Sequence, residues 1–305
     1  MLKQITKHIY FVEGKNKGRF PFCHSVLVRD KVTALIETGC GREILKEIEA
    51  EFAPDRVIYS HGHPDHCAGA DIFPADRLWG PVESKKTTGT VRLMAERFVG
   101  KELREDWITL MREVPKLEDF SVGNFFGPGH VFEFGETVME AVHAPGHTDD
   151  HYCFYFPNEK IMLTTDIDFT SFGPWYANPE SDIEPFIDSI ERIRGYDIKT
   201  VVSSHTSVIK SGIDKRFADF LDVFQKRDEK ILKFLSSPRS MDDFVERALI
   251  YGKYPYGPSI LRFFEAQMVD KHLERLVSKG RVERKLGGWE AGRRSRRLEV
   301  RMLGG

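Results

Sequence analysis

The segment VIYSHGHPDHCAGA, residues 57–70, concentrates side chains that can bind a metal ion. Within six positions it contains His61, His63, Asp65 and His66. His61 and His63 lie two apart on a loop that leaves a predicted strand, so their side chains point the same way and can bind one ion. Asp65 and His66 follow in the first turn of a predicted helix and point elsewhere. The segment therefore offers two pairs of ligands.

Two ligands are too few for a site, because zinc-type ions commonly take three or more protein ligands plus water. Further candidates stand at the ends of later predicted strands: His147 in HAPGHTDDH, Asp166 in MLTTDID and His205 in VVSSHTS. In layered α/β architectures the loops at one sheet edge converge, so residues far apart in sequence can meet there. We therefore expect one composite site built from several strand ends.

The elements that must position these residues alternate between strand and helix over the first two hundred residues. The predicted strands are HIYFVEG, HSVLVRD, VTALIETG, VIYS, HVFEFGETVMEAVHA, HYCFYFP, KIMLTTD and TVVSSH. REILKEIEAEF is an amphipathic helix, and residues 84–120 are helix-biased and charged.

The alternation of strands and helices ends at about Ile213, and three helical segments follow in succession. Ser240 is the predicted N-cap of the second helix and Gly280 the predicted C-cap of the third. RVERKLGGWEA then indicates a hairpin, an order typical of a winged-helix module. We predict a catalytic domain over residues 1–212 and a helical, winged-helix-like domain over residues 213–305.

These motifs resemble the metallo-β-lactamase superfamily, whose signature is His-x-His-x-Asp-His followed by a His, an Asp and a His at later strand ends. The resemblance covers roughly residues 1–212. LIETG stands where that family usually shows Asp-Thr-Gly, and HAPGHTDDH resembles the corresponding stretch of glyoxalase II-like members. The resemblance implies an α/β fold of the four-layer αββα sandwich type, extended here by the mainly helical C-terminal domain.

The resemblance also implies a role for each candidate ligand. His61, His63 and His147 would bind a first metal ion, Asp65, His66 and His205 a second, and Asp166 would bridge them. Asp65 and Asp166 are the implied catalytic carboxylates. The implied cofactors are two divalent ions, zinc, with iron or manganese as alternatives because a His/Asp set accepts each. The implied nucleophile is a metal-bridging hydroxide, since a metal can lower the pKa of water to about 7.

Two classes of chemistry suit such a site. The first is hydrolysis of a small ester-type bond: a thioester, lactone, ester or amide. The alternative is a metal-dependent endoribonuclease or phosphodiesterase with the C-terminal domain guiding nucleic acid, because residues 279–301 carry nine Lys and Arg against three Glu. Flavo-diiron redox chemistry is disfavoured, because those relatives carry Glu where this chain has His63.

The composition excludes few binding partners, but it indicates a cellular location. The chain has 305 residues, a net charge of −2 and a mean hydropathy of −0.37, so it is not a polyelectrolyte as a whole. Its N-terminus lacks the apolar run of a secretory signal, and its four cysteines form no CxxC pair. We expect a cytoplasmic enzyme with reduced thiols, a small-molecule substrate and no membrane partner; a homodimer is left open.

Other polar residues divide into structural and site-associated groups. We expect structural roles for His8, His24, His130 and His272. His143 and His151 flank His147 in the resembling stretch, and a role in holding a ligand stands beside a purely structural one.

Several features of the chain could shape the site. The aromatic run DFTSFGPWYANPESD, residues 168–182, predicts either a pocket wall or simple packing, and residues 84–120 either a lid or surface decoration. Thr165 and Thr206 depart from the family, since glycine is common at both positions, and each crowds the backbone beside a candidate ligand.

Overall fold

The computed structural model describes residues 2–286 and 298–302 and contains two large sheets. The first has the order β1 (Leu2–Gln4), β2 (Ile9–Val12), β3 (Ser25–Arg29), β4 (Thr33–Ile36), β5 (Arg56–Ile58), β6 (Leu78–Pro81), β7 (Asn124–Phe126). Its strands pair antiparallel from β1 to β4 and parallel from β4 to β7.

The second sheet contains five strands: β8 (Val131–Glu133), β9 (Val138–His143), β10 (Tyr152–Phe156), β11 (Ile161–Thr165) and β12 (Thr200–Ser203). They lie in chain order, antiparallel except for the parallel pair β11 and β12. Every residue of β10 and β11 is buried, which explains why these strands are continuous apolar runs rather than alternating ones.

The helices of the described chain are α1 (Arg42–Phe52), α2 (Pro64–Cys67), α3 (Val91–Val99), α4 (Arg104–Glu113), α5 (Ile183–Arg194), α6 (Ile213–Phe234), α7 (Met241–Arg247) and α8 (Pro258–Ser278). Helix α5 was not predicted from the sequence. Its signals are nevertheless ordinary: Asp182 caps it by accepting from Glu184 N, and its apolar face includes Phe186 and Ile190.

Three hydrophobic clusters lie between four layers of helices and sheets. Side chains of β3 point alternately into two of these clusters. Leu27 joins the cluster beneath α1, α3 and α4, whereas Val26 and Val28 join the cluster between the two sheets. A third cluster lies between the second sheet and α5 and α6. The predicted αββα sandwich is confirmed.

The C-terminal helices pack directly on this sandwich. Phe217, Phe220 and Phe224 of α6 and Met268 of α8 belong to the third cluster. Helix α7 has a capping box in which Ser240 and Asp243 each bond to the other's backbone, as the N-cap prediction implies. The division at residues 212 and 213 stays a prediction, and the apolar core crosses it.

Part of the predicted C-terminal hairpin is described. β13 (Val282–Leu286) pairs antiparallel with β14 (Leu298–Met302). The second strand that the sequence predicts just after Gly-Gly lies outside the described residues. The Gly-Gly pair and the basic residues Arg293, Arg294, Arg296 and Arg297 lie outside the described residues. The winged-helix interpretation stays a prediction. In the described part of the chain, no helix is both long and apolar enough to cross a membrane.

Candidate metal centre

All seven candidate ligands meet at one edge of the two sheets. His61 and His63 follow β5, and Asp65 and His66 lie in α2, whose first residue is Pro64. His147 lies on the loop between β9 and β10, Asp166 directly follows β11, and His205 follows β12. The first five are buried and the last two partly buried. Convergence of strand ends therefore assembles the site, as expected.

The first set brings three imidazole nitrogens to one point. His61 Nε2 lies 2.9 Å from His63 Nδ1, and His147 Nε2 lies 2.9 Å from His63 Nδ1 and 3.2 Å from His61 Nε2. A neutral imidazole has one N–H, so three such atoms cannot all be satisfied by bonding to each other. Ligands about 2.0–2.1 Å from a tetrahedral zinc ion stand at about this mutual separation. The triangle fits a central cation.

Asp166 lies between the first set and the second. Its Oδ2 is 3.1 Å from His147 Nε2, and its Oδ1 is 2.9 Å from His66 Nε2 and 3.3 Å from His205 Nε2. Asp65 Oδ2 completes the second set, 3.4 Å from His205 Nε2. One carboxylate oxygen of Asp166 thus faces each set, which supports its predicted bridging role.

The candidate centre also contains buried polar atoms without hydrogen-bond partners, which is typical of a site that binds cations. Asp166 Oδ1 and His66 Nε2, which face each other in the second set, have no hydrogen-bond partner of suitable geometry. A buried polar atom without a partner costs about 1–3 kcal/mol, and more when charged. A divalent ion in the second set would satisfy both atoms.

The pKa shifts of the histidines differ between the two sets. Burial lowers the pKa of His61 and of His63 well below the ordinary value, so both imidazoles are neutral and can bind metal. Burial also lowers the pKa of His205, but Asp166 and Asp65 outweigh it and raise that pKa to about 9. The carboxylates therefore create a strongly negative potential at the second set, which attracts positive charge.

Each ligand histidine is oriented through its other ring nitrogen. His147 Nδ1–H donates to Trp175 O at 2.8 Å, and His205 Nδ1–H donates to Gly18 O at 2.7 Å. The remaining three pairs are His61 Nδ1 with Ser60 Oγ at 2.9 Å, His66 Nδ1 with Glu37 Oε2 at 3.2 Å, and His63 Nε2 with the Asn178 amide at 2.6 Å. Such partners select the tautomer that leaves the ligand nitrogen free.

Sequence reasoning missed most of these partners. Glu37 lies in the quoted LIETG motif, and Ser60 precedes a ligand, so adjacency to the motif could have found both. Asn178 lies in the aromatic run of residues 168–182, far from His63 in sequence, and nothing in that run marks it as a partner of His63. Only the tertiary structure brings its amide to the imidazole.

Comparison with known proteins identifies the family. The sequence profile described as the metallo-beta-lactamase superfamily matches residues 18–205, more than half of the chain. The chain belongs to the metallo-beta-lactamase superfamily. It is accordingly a metal-dependent hydrolase.

Two curated superfamily members illustrate the sequence similarity. An atrochrysone carboxyl ACP thioesterase of Pseudocercospora fijiensis is 24% identical over 94% of this chain and 80% of its own length. A hydroxyacylglutathione hydrolase of Haemophilus influenzae is 26% identical over 66% of this chain and 92% of its own length. The first alignment extends beyond the profile match into the C-terminal helices.

Solved structures show the same fold over nearly the whole chain. A metallo-beta-lactamase family protein of Thermus thermophilus has a TM-score of 0.72 at 19% identity, covering 98% of this chain and all of that one. A beta-lactamase domain protein of Burkholderia ambifaria has a TM-score of 0.70 at 17% identity, covering 99% and 94%. The C-terminal helices are thus part of a shared architecture.

The two departures from the superfamily's usual glycines have different consequences. Thr165 has a φ of 47°, a left-handed conformation that is unfavourable for a β-branched residue. Its Oγ1 donates to Tyr152 O at 2.9 Å and lies 2.6 Å from His151 Nε2. Thr206 has no positive φ and donates from Oγ1 to Asp168 O at 3.1 Å. Only the first position stores backbone strain, and hydrogen bonds offset it.

The flanking histidines are not in the ligand sets. His151 Nδ1–H donates to Ala144 O at 2.7 Å, while its Nε2 faces Thr165 and the backbone N–H of Asp166. His151 therefore holds the backbone of the candidate ligand Asp166 without belonging to either ligand set. His143 Nε2 lies 2.7 Å from Asp149 O, away from the centre.

The histidines with expected structural roles lie outside the described ligand clusters. His272, for example, is buried and pairs with Asp228 Oδ1 at 2.6 Å. The four cysteines are free and buried, in agreement with reduced thiols.

An ion-pair cluster fixes the loop between the first two ligands. Gly62 N–H donates to Asp150 Oδ2 at 2.9 Å. Arg97 of α3 donates to both carboxylate oxygens of Asp150 at 2.7 and 3.1 Å, and to Glu180 at 2.9 Å. Although burial raises the pKa of Asp150, Arg97 outweighs this effect and holds that pKa well below its usual range. A helix from the 84–120 segment is thereby tied to the metal-binding loop.

The metal centre opens into a cavity of about 650 Å³. Phe169, Phe172 and Trp175 of the aromatic run line it, in agreement with the pocket-wall alternative, whereas Tyr176 is buried elsewhere and pairs with His272. Helices α3 and α4 contribute Phe98, Trp107, Leu110 and Met111. The 84–120 segment is therefore a wall of the pocket rather than surface decoration.

Proposed function

We propose that the chain hydrolyses a small-molecule thioester at a dinuclear metal centre. The observation that supports this proposal is the convergence of seven candidate ligands in two sets that share Asp166, beside a pocket with many aromatic and aliphatic lining residues. The names of two relatives support acyl-bond hydrolysis: one is an ACP thioesterase and the other a hydroxyacylglutathione hydrolase.

The reaction requires hydroxide and an electrophilic carbonyl. Bound divalent ions lower the pKa of water towards about 7 and polarise an oxygen of the scissile group. Hydrolysis at such a centre would form a bond between the hydroxide oxygen and the carbonyl carbon and break the C–S bond. The leaving thiolate would take a proton, and the products would be a carboxylic acid and a thiol. The carboxylates of Asp65 and Asp166 would hold the ions, and His61 and His63, whose pKa burial lowers, would be neutral ligands.

The pocket favours a carbonyl substrate over the phosphodiester alternative. Arg19 is the one Lys or Arg among the described residues that line it, whereas much of the remaining lining is aromatic or aliphatic. Nucleic-acid sites combine several cations along the backbone path. Residues 287–297 of the basic C-terminal segment lie outside the described residues, and the segment supports neither reading.

Elemental analysis combined with a hydrolysis screen tests the proposal. We expect about two equivalents of zinc, iron or manganese per chain. The screen uses thioesters, para-nitrophenyl esters, bis-para-nitrophenyl phosphate and single-stranded RNA, and we expect thioester cleavage. His143→Ala is the matched control for ligand variants, because His143 lies away from both sets. Cleavage of only the phosphodiesters, or no metal uptake after reconstitution, would overturn the proposal.

A further inference from the structure

The two sides of the pocket differ in chemistry. Trp175 packs on His63 and His147 of the first set, with ring centroids 5.3 and 5.7 Å apart, and on Phe264 of α8 at 5.1 Å. Phe98 of α3 packs on His63 at 4.9 Å. An aromatic wall therefore begins at the first ligand set and continues to the C-terminal helix.

This wall is held rigidly. Trp175 Nε1–H donates to Tyr251 Oη at 2.7 Å, and Phe98 packs on Trp107 with ring centroids 5.9 Å apart. Phe98 and Trp107 are almost fully buried. Rigid aromatic surfaces lose little entropy when a planar or apolar group packs against them. The cavity volume lies in the range of sites for drug-sized ligands and exceeds the needs of an acetyl group.

The side near the second ligand set carries a cation instead. Gly18 accepts the hydrogen bond of His205, and the next residue, Arg19, lines the pocket. Arg19 is exposed and forms no ion pair within the described part of the chain. Phe20, also exposed, lies beside it in the lining. The lining also includes the carboxylates of Asp65, Asp166 and Asp168. The exposed, unpaired guanidinium of Arg19 is therefore the part of the described lining that suits an anionic group in solvent.

We infer that the substrate is a thioester of a bulky apolar or aromatic acyl group with an anionic thiol carrier, bound in one orientation. The acyl group packs on the partly exposed rings of Trp175 and Phe264, and the carrier leaves past Arg19. This inference rests on the proposed thioester hydrolysis and adds its specificity. Phosphate of a pantetheine carrier and carboxylate of a peptidic thiol share the required negative charge.

The acyl side is tested with Phe264→Ala in the full-length, metal-loaded enzyme. We measure kcat/KM for naphthoyl and acetyl thioesters of N-acetylcysteamine, which carries no charge. The wild type should prefer the naphthoyl substrate, and the variant should lower the naphthoyl-to-acetyl ratio by about tenfold, because hydrophobic contact area is lost. Phe263→Ala is the control, since Phe263 is adjacent on α8 but outside the lining.

The carrier side is tested with Arg19→Ala. We compare naphthoyl thioesters of coenzyme A, glutathione and N-acetylcysteamine. The variant should lower the preference for a charged carrier by about three- to tenfold, and added salt should do the same to the wild type. A loss confined to coenzyme A indicates phosphate recognition, and one confined to glutathione indicates carboxylate recognition. Arg216→Ala, an exposed arginine of α6 outside the lining, is the control.

The outcomes separate this inference from the proposed function. If no thioester is hydrolysed by the metal-loaded enzyme, thioester hydrolysis itself is wrong. If thioesters are hydrolysed but Phe264→Ala leaves the acyl ratio unchanged, or Arg19→Ala leaves the carrier preference unchanged, only the inferred orientation is overturned.

Discussion

Single residues around the metal centre act mainly by orienting the ligands. Asn178 Nδ2 lies 2.6 Å from His63 Nε2, while Asn178 Oδ1 has no hydrogen-bond partner. Half a turn of the amide exchanges these two atoms. Oδ1 would then accept from His63 Nε2–H, which leaves the Nδ1 lone pair of His63 for the ion.

We therefore predict that Asn178→Ala weakens metal binding. The loss of an imidazole partner should lower the affinity by about 10–100-fold, because the ring is no longer held in orientation or tautomer. Competition with a chromogenic chelator measures the affinity. Asn158→Ala, at an exposed position, should leave it unchanged. Equal affinities of Asn178→Ala and wild type would contradict the assigned partner.

Loss of a ligand should have a larger effect than loss of its partner. His63→Ala and Asp65→Ala each remove a ligand from a different set, and we expect both to abolish hydrolysis with the fold retained. Elemental analysis and circular dichroism on the same samples separate metal loss from unfolding. Near-normal turnover in either variant would contradict the two-metal proposal.

Thr165 provides a third test at this scale. Thr165→Val keeps the shape and the left-handed backbone but removes the hydroxyl that bonds Tyr152 O and faces His151. We expect a loss of about 1–3 kcal/mol in the free energy of unfolding, measured by urea denaturation. In Thr165→Gly the strain and the hydroxyl disappear together, so its loss should be smaller. Equal losses would show that strain relief plays no part.

Among the secondary-structure elements, α3 stabilises the metal-binding loop through one ion pair. Arg97 holds the buried carboxylate of Asp150, which in turn holds the Gly62 backbone. Removal of one partner from a buried pair leaves an uncompensated charge. The stability of the loop therefore depends on both members.

We predict that Arg97→Leu lowers the free energy of unfolding by about 3–5 kcal/mol at neutral pH. The double variant Arg97→Leu with Asp150→Asn should recover part of this loss, because no unpaired carboxylate remains. Denaturation in urea, with both single variants alongside, measures the coupling. If the double variant is as unstable as the sum of the single ones, the two side chains are not coupled.

The same pair predicts a pH dependence. Arg97 holds the pKa of Asp150 in the folded chain below its unfolded value, so the stabilisation is present above the unfolded value of about 3.9 and is lost as pH falls. The stability difference between wild type and the double variant should therefore shrink below about pH 4. A constant difference from pH 7 to pH 3 would contradict the assignment.

At the scale of the whole molecule, the C-terminal helices belong to the enzyme's core and pocket. Phe217, Phe220 and Phe224 cover the outer face of the second sheet, and Phe264 and Tyr251 close one side of the pocket. The predicted division after residue 212 would cut through both.

A chain that ends at Gly212 should accordingly fail to form a stable fold. Its exposed apolar face would promote aggregation and binding of a hydrophobic dye such as ANS. Solubility and chemical denaturation of the fragment measure this, with the full-length chain as the reference. A soluble fragment with cooperative unfolding and metal binding would show that residues 1–212 are an independent domain.

The sequence by itself determined the ligand candidates, the family and most strands. Ligand types and spacing are local properties: His61 to His66 are adjacent in the chain, and each later candidate follows a recognisable apolar run. Helix α1 was predicted with its observed limits, because its apolar periodicity is strong.

Only the tertiary structure decided how these residues meet and what surrounds them. The amide of Asn178, the Arg97–Asp150 pair and the wall from Trp175 to Phe264 join residues from distant segments. No local sequence pattern encodes such contacts, since they form between layers that are built from distant segments of the chain. Strand pairing is likewise a non-local contact: the sequence does not show that β13 pairs with β14, because Gly-Gly signals a turn without naming the partner strand.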